Sequence, residues 1–293
     1  MRAIVFGGSG FLGSHVADAI TKEGHDVTVF DLNKSSYIRE GQTMVIGDIL
    51  DEDAVQAAIK GHDIVYNFAG IADIYEASED PIQTIKTNVL GNTIILKASR
   101  LNNIKRYIFA SSIYVYSKAG SFYRSSKQAC ECIIEDFNEQ YGLPFTILRY
   151  GSLYGPRANK QNWVYRILKQ AITEKKITRY GDGEEIREYI HVEDAAQCSL
   201  KILSDEFENQ AVIITGSQPM KVRNVMTMIK EMLDNKIELE FLPSTSNLHY
   251  EITPYTFNPK TARRIISNSY IDMGQGLLQC LEDIHKKHYP SNG

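Results

Sequence analysis

The sequence predicts an α/β protein: a Rossmann-type doubly wound parallel sheet with a smaller C-terminal α/β domain. Three observations carry that expectation. Short β-branched apolar runs at 3–6, 27–30, 44–46, 64–67, 107–109 and 145–148 alternate with longer amphipathic stretches, the pattern of repeated strand–helix units joined by parallel crossovers. The runs are apolar along their whole length, as expected of strands covered by helices on both faces. A glycine-rich turn, Gly7-Gly8-Ser9-Gly10-Phe11-Leu12-Gly13, follows the first run at once.

The elements follow in order. A helix is expected from about Phe11, directly after the turn. Asp51-Glu52-Asp53 places acids in the first turn of a helix over 54–59, and Pro81 opens one over 82–100, since a first turn favours negative charge and tolerates a missing N–H. After Arg149 the pattern changes: Tyr154-Gly155-Pro156-Arg157, a helical stretch over 163–173, then shorter strands and helices. We therefore expect residues 1–151 to bind the dinucleotide and 152–293 mainly to bind substrate, with parts able to return to the first sheet. No Pro- or Gly-rich linker separates the halves, so they should pack around a cleft.

Composition narrows the function classes. The chain has 293 residues, 43% hydrophobic and 23% charged, which excludes disordered and fibrous proteins. A net charge of -4, a pI near 6.0 and no basic block leave no footprint for nucleic acid or an anionic membrane. No leader pattern and no run of 18 apolar residues is present, so a cytoplasmic protein is expected. Four cysteines in this length make no disulfide framework, and Cys130 and Cys132 diverge on a helix. His285 and His288 have a helical ligand spacing but no carboxylate–cysteine cluster near them, and no metal is expected.

The glycine turn suits a pyrophosphate, because glycines let the backbone approach and the helix N-terminus offers free amides. Asp31 ends the second strand 18 residues after Gly13; a carboxylate there accepts from ribose hydroxyls and repels a 2′-phosphate, favouring NAD over NADP, whereas a turn role is the alternative. Asp48-Ile49 ends the third strand and either flanks the adenine or caps the turn. Asn67-Phe68-Ala69-Gly70 ends the fourth, where small residues admit a cofactor or simply pack a left-handed turn. Ser111-Ser112 ends the fifth strand, and Tyr123 and Lys127 share one face of the next helix at i and i+4. An ammonium beside a phenol stabilises phenolate, and Ser112 is placed to hydrogen-bond a substrate oxygen.

Together with Asn88-Val89-Leu90-Gly91-Asn92, the stretches 111–116 and 148–156, and Arg187-Glu188-Tyr189-Ile190-His191-Val192-Glu193-Asp194, these motifs resemble the extended short-chain dehydrogenases/reductases. The likeness is to the NAD-dependent epimerase/dehydratase group, near the sugar-nucleotide 4-epimerases, and covers most of the chain. The resemblance implies that Ser112, Tyr123 and Lys127 are catalytic and that NAD meets Gly7, Gly10, Phe11, Leu12, Gly13, Asp31, Asp48, Ile49, Ala69, Asn88, Tyr123, Lys127 and Tyr150. It implies Ser112, Ser152 and Arg187 on the substrate side, with Arg187 facing a phosphate, although an ion pair of Arg187 with Glu184 or Glu188 would read the same. His191 is read as structural.

Departures limit the carry-over. The dehydratase group's Thr-Asp-Glu is replaced by Ser112-Ile113-Tyr114, which removes the acid and base for eliminating water. Ser152 stands where the epimerases place an Asn against the diphosphate, and no arginine occurs at 248–251. Ten residues separate Ser112 from Tyr123, so a substrate loop is trimmed and the site more open. The sequence reading is an NAD-dependent sugar-nucleotide epimerase working at C4 through a keto intermediate, as a homodimer pairing through the helices that begin at Pro81 and near Tyr123. The alternatives are a keto-sugar-nucleotide reductase and, from another class, an NAD-binding regulator without turnover.

Overall fold

The computed structural model describes residues 1–243, 249–254, 263–265 and 271–288. Its strands are β1 (Arg2–Phe6), β2 (Asp26–Asp31), β3 (Gln42–Ile46), β4 (Ile64–Asn67), β5 (Arg106–Ser112), β6 (Phe145–Tyr150), β7 (Ser152–Tyr154), β8 (Lys176–Tyr180), β9 (Ile186–His191), β10 (Gln210–Ile214), β11 (Pro219–Lys221), β12 (Glu238–Leu242) and β13 (Arg263–Ile265). The α-helices are α1 (Phe11–Lys22), α2 (Glu52–Ile59), α3 (Ile74–Glu79), α4 (Pro81–Thr84), α5 (Gly91–Leu101), α6 (Ser121–Tyr141), α7 (Trp163–Glu174), α8 (Val192–Lys201), α9 (Val222–Met232) and α10 (Met273–His288). Residue 248 and the side chain of His288, both weighed above, lie outside the described residues.

Among the described residues the main sheet has eight strands in the order β13-β10-β6-β5-β4-β1-β2-β3, every neighbouring pair parallel. The six runs picked out by periodicity are its strands β1 to β6. Their apolar continuity has the expected cause. Val5, Val29, Ile108 and Leu148 pack on one face against Val16 and Ile20 of α1 and Cys198 of α8. Phe6, Phe30, Val65 and Phe109 pack on the other against Ile59, Ile95 and Ile134 of α2, α5 and α6. Side chains of this size stabilise by about 1.5–3 kcal/mol each when fully buried. The second half contributes β10 and β13 to this sheet and builds its own core from α7, α9, α10 and β8, including Leu168, Ile177, Val225, Ile229 and Leu277.

Strand order reverses between β1 and β4, and sheets of this kind take their ligands in the crevice beyond the carboxyl ends of the strands at that point. The stretch from Pro81 is helical, as its pattern predicts, but residues Ile85–Leu90 form a π turn between α4 and α5. Such turns displace the backbone and aim side chains out of helical register, and this one carries Asn88.

One buried histidine bridges the halves and a second caps a helix of the second half. His15 of α1 lies with Nε2 3.0 Å from the Pro156 carbonyl, and Nδ1 of His191 accepts from the Glu193 amide at the start of α8. Burial, reinforced for His15 by the Arg157 charge and for His191 by His15, pushes both rings down to about 4. A depressed histidine pKa stabilises the fold fully above the ordinary value of 6.5, and the contribution is lost as pH falls from 6.5 towards 4. Thermal melting between pH 7 and pH 5 should therefore show a falling midpoint. In His191→Asn, which keeps a cap acceptor but cannot titrate there, the fall should be shallower. Equal slopes for the two proteins would remove His191 from the effect.

Candidate active site

The turn after β1 is built for a close approach. Gly7 has φ +75°, and a Cβ there would lie 2.6 Å from the Ala69 amide; one on Gly13 would lie 2.3 Å from the Gly7 carbonyl. Larger residues are excluded on steric grounds at both positions. Gly10 caps α1 without any side-chain hydrogen bond, and the first turn, which holds Phe11 and Leu12, contains no acid. The helix therefore presents free amides and the positive end of its dipole to whatever lies in the crevice.

Asp31 closes the neighbouring edge of the crevice. Its carboxylate accepts from the Ser9 amide and the Asn33 amide, both at 3.0 Å, so it fixes the glycine turn and retains further lone pairs. Asp48 closes a turn by accepting from the Leu50 amide at 2.9 Å. Ile49 is buried, and a Cβ on Gly91 would lie 2.6 Å from its Cδ1, so it serves as packing between β3 and α5. Asn67 accepts from the Ala69 amide at 3.1 Å. Asn88 accepts from the Ile71 amide at 2.7 Å and donates to the Ile71 carbonyl and to Ser126 Oγ. Asn88 thereby ties the β4 loop to α6.

Tyr123, Lys127 and Ser112 converge where α6 crosses the end of β5. Lys127 Nζ donates to the Ala110 carbonyl at 2.8 Å and lies 4.7 Å from the Phe109 ring centroid and 5.9 Å from that of Tyr123. Burial pulls the Lys127 ammonium below its ordinary range. Burial also pushes the Tyr123 phenol up, and a hydrogen bond with Ser112 opposes the rise. The phenol is therefore protonated at neutral pH until a further cation is placed beside it.

Beneath this trio lies a buried polar network that sequence reasoning missed. Glu131, one helical turn beyond Lys127, accepts from Ser111 Oγ at 2.6 Å and from Arg149 Nε at 3.0 Å and Nη2 at 2.7 Å. Arg149 also donates to the Tyr116 hydroxyl. The Arg149 and Glu131 side chains are 1% and 0% exposed. Two signals were available: the i+4 spacing of Glu131 from Lys127, and a charge inside the apolar run that forms β6.

The second half supplies a cleft of about 1290 Å³ lined by Trp163, Arg166, Arg179, Arg187, His249 and Tyr250 among others. Arg187 is buried, lies 4.0 Å over the Tyr250 ring and donates to the Ile186 carbonyl at 3.0 Å. No ion pair of Arg187 with Glu184 or Glu188 occurs among the described residues; Glu184 pairs with Lys221 and Arg223. Ser152 hydrogen-bonds Tyr250, and Tyr150 commits its hydroxyl to Ser199 at 2.6 Å within the core. Neither Ser112 nor Tyr123 lines the cleft. The link is aromatic: the Tyr114 ring lies 6.2 Å from Tyr123, 4.7 Å from Tyr250 and 6.2 Å from His249, centroid to centroid. His249 and Tyr250 gave no signal in the sequence.

The model of the NAD dependent epimerase/dehydratase family matches residues 3–214. A UDP-N-acetyl-alpha-D-glucosaminuronate decarboxylase of Bacillus cytotoxicus is 30% identical over 268 residues, 83% of each protein. A putative UDP-glucose 4-epimerase of Methanocaldococcus jannaschii is 28% identical over 248 residues, 78% of this chain and 81% of that protein. Among solved structures, UDP-glucose 4-epimerase of Thermotoga maritima with UDP-glucose superposes with a TM-score of 0.85 over 98% of this chain and all of that one, at 23% identity. UDP-glucose 4-epimerase of Thermus thermophilus in complex with NAD gives 0.81 over 97% and 99%, at 22% identity.

The crevice fits a dinucleotide on its own terms. It combines an uncapped helix N-terminus, glycines where a Cβ would collide, and a carboxylate beside them. The turn amides would hold the pyrophosphate and Asp31 a ribose. Asp31→Ala is expected to weaken NAD by about 1.5–3 kcal/mol, the usual worth of a charge-assisted hydrogen bond, and to narrow the preference over NADP. Titration of both cofactors checks this, with a melting curve to confirm that the glycine turn survives. Unchanged NAD affinity would turn Asp31 into a turn residue only.

Proposed function

The chain belongs to the NAD-dependent epimerase/dehydratase family, and from that premise we propose that it is a nucleotide-sugar epimerase acting at C4 through a keto intermediate. The observation that carries the reading is the convergence of Ser112, Tyr123 and Lys127 at the end of β5, beside the dinucleotide crevice and within one aromatic contact of a cationic cleft. When bound, NAD supplies the hydride acceptor and returns the hydride. Tyr123 takes the proton of the sugar hydroxyl as the carbonyl forms and returns it to the same oxygen when the ketone, turned over in the site, is reduced on its other face. Lys127 is placed to hold positive charge near the phenol, while Ser112, whose hydrogen bond opposes the upward push of burial on Tyr123, aligns the substrate oxygen.

Residues 1–151 then serve NAD and 152–293 mainly the substrate, with Arg187 set against the diphosphate. Arg187 suits that role because it is buried, stacked and without a carboxylate partner among the described residues. Exposed Ile82, Ile85, Leu90 and Phe122 on the Pro81 segment and α6 support pairing of two copies through these helices. Sedimentation at micromolar concentration reads that state directly. A cytoplasmic setting is supported by the buried free thiols of Cys130, Cys198 and Cys280, and is checked by cell fractionation.

A second reading follows from the decarboxylase relative. A C4 ketone on a sugar bearing a carboxylate at C5 is a β-keto acid, which loses CO2 once the ketone has formed. Epimerisation returns the hydride to the same carbon, keto-sugar reduction consumes NADH, and decarboxylation releases CO2; each can begin or end with proton exchange at Tyr123.

Tyr123→Phe keeps the ring and deletes the proton-exchanging group, so turnover should fall by about 10²–10⁴-fold with NAD affinity unchanged. Near wild-type turnover on a verified substrate would end the assignment and favour a binding protein. Substrate deuterated at C4 separates the reactions: an epimerase returns the label to the inverted sugar. Net consumption of NADH, or CO2 released from UDP-glucuronate, would overturn epimerisation in favour of reduction or decarboxylation.

A further inference from the structure

Arg187 is a buried cation held without an anion. It lines the cleft, is 8% exposed, and has no carboxylate partner among the described residues, where Glu185 pairs with Arg179 and Glu184 with Lys221 and Arg223. Its hydrogen bonds among those residues run from Nη1 alone, to the Ile186 carbonyl at 3.0 Å and the Glu251 carbonyl at 3.5 Å. What seats the guanidinium is the Tyr250 ring, whose centroid lies 4.0 Å from Cζ. A ring face attracts a cation through its quadrupole and, unlike a carboxylate, does not cancel the charge. The Nε–Nη2 edge, which can meet a phosphate with two parallel hydrogen bonds, stays uncommitted.

The ring is itself fixed from both halves. Its segment is tied to the start of β9, because the Ile186 amide donates to the Glu251 carbonyl at 2.7 Å and Thr253 Oγ1 donates to the Ile186 carbonyl at 3.4 Å. The Tyr250 hydroxyl hydrogen-bonds Ser152 and Thr253. From the first half, the Tyr114 ring packs against it with centroids 4.7 Å apart. A close-packed ring has few places to go, so the guanidinium stacked on it inherits its position. We infer, resting on the nucleotide-sugar reading above, that Tyr250 is a positioning residue for anion recognition: its ring seats Arg187 in the cleft with its charge and its Nε–Nη2 edge available to the substrate diphosphate. Tyr250 acts through Arg187, so its effect on phosphate binding should vanish when Arg187 is gone.

The test is calorimetric titration of the NAD-loaded full chain with UDP. The proteins are wild type, Tyr250→Phe, Tyr250→Leu, Tyr250→Met, and Arg187→Gln alone and combined with each of the two non-aromatic changes, all checked by melting curves. Tyr250→Leu and Tyr250→Met should lose about tenfold in affinity, the scale of a partly desolvated cation–π contact. Tyr250→Phe keeps the ring and should stay within about threefold of wild type. In the Arg187→Gln background the same non-aromatic changes should cost less than about twofold, because the cation that the ring seats is absent. An equal loss with and without Arg187, no loss in either non-aromatic variant, or a loss in Tyr250→Phe as large as in Tyr250→Leu would each overturn the inference alone. UDP that fails to bind wild type, or binds Arg187→Gln as tightly as wild type, would overturn it together with the phosphate role of Arg187.

Discussion

The buried ion pair between Glu131 and Arg149 is the constraint on which the active face depends. Taking two charges out of water costs several kcal/mol per ion, and a pair survives there only with close geometry and further hydrogen bonds. Both conditions hold: two contacts of Arg149 with Glu131, one from Ser111 and one to Tyr116. Because Glu131 belongs to α6, Arg149 to β6 and Ser111 to β5, the pair fixes the helix against two strands at once. Tyr123 and Lys127 lie eight and four residues before Glu131 on the same helix, and Ser112 follows Ser111. The rotation of α6 and the end of β5 are therefore set by charges that tolerate little displacement.

The second constraint is steric and lies at the switch point. Backbone from β1 and from the β4 loop meets where Gly7 faces Ala69, and any side chain there would separate the strands or fill the crevice. Close packing on one side and the uncapped start of α1 on the other leave free amides facing the turn. The second half meets the first through His249 and Tyr250, whose rings pack against Tyr114 beside Tyr123.

Much of this was legible because it is local. The strands β1 to β6, the start of α1 and the opening at Pro81 follow from periodicity, glycine and proline, and the Tyr123–Lys127 pairing follows from helix geometry. Asp48-Ile49 was legible only as two possibilities; in the structure Asp48 closes a turn and Ile49 packs on Gly91. The Tyr114–His249 contact spans 135 residues and has no signature in composition or spacing, since neither residue type is unusual where it stands. Arg149 was visible as a charge in an apolar run, but its partner lay on a different element. The return of β10 and β13 to the main sheet likewise depends on long-range pairing that short apolar runs do not specify.

A double-mutant cycle on denaturant unfolding, using Glu131→Leu, Arg149→Met and the combined variant, tests most directly whether this pair holds the active face together. Each single change should lose about 3–5 kcal/mol by stranding a buried charge, and the combined variant should lose far less than the sum. Additive losses would mean that the two charges do not depend on each other, and that the positions of Tyr123, Lys127 and Ser112 are set by apolar packing alone.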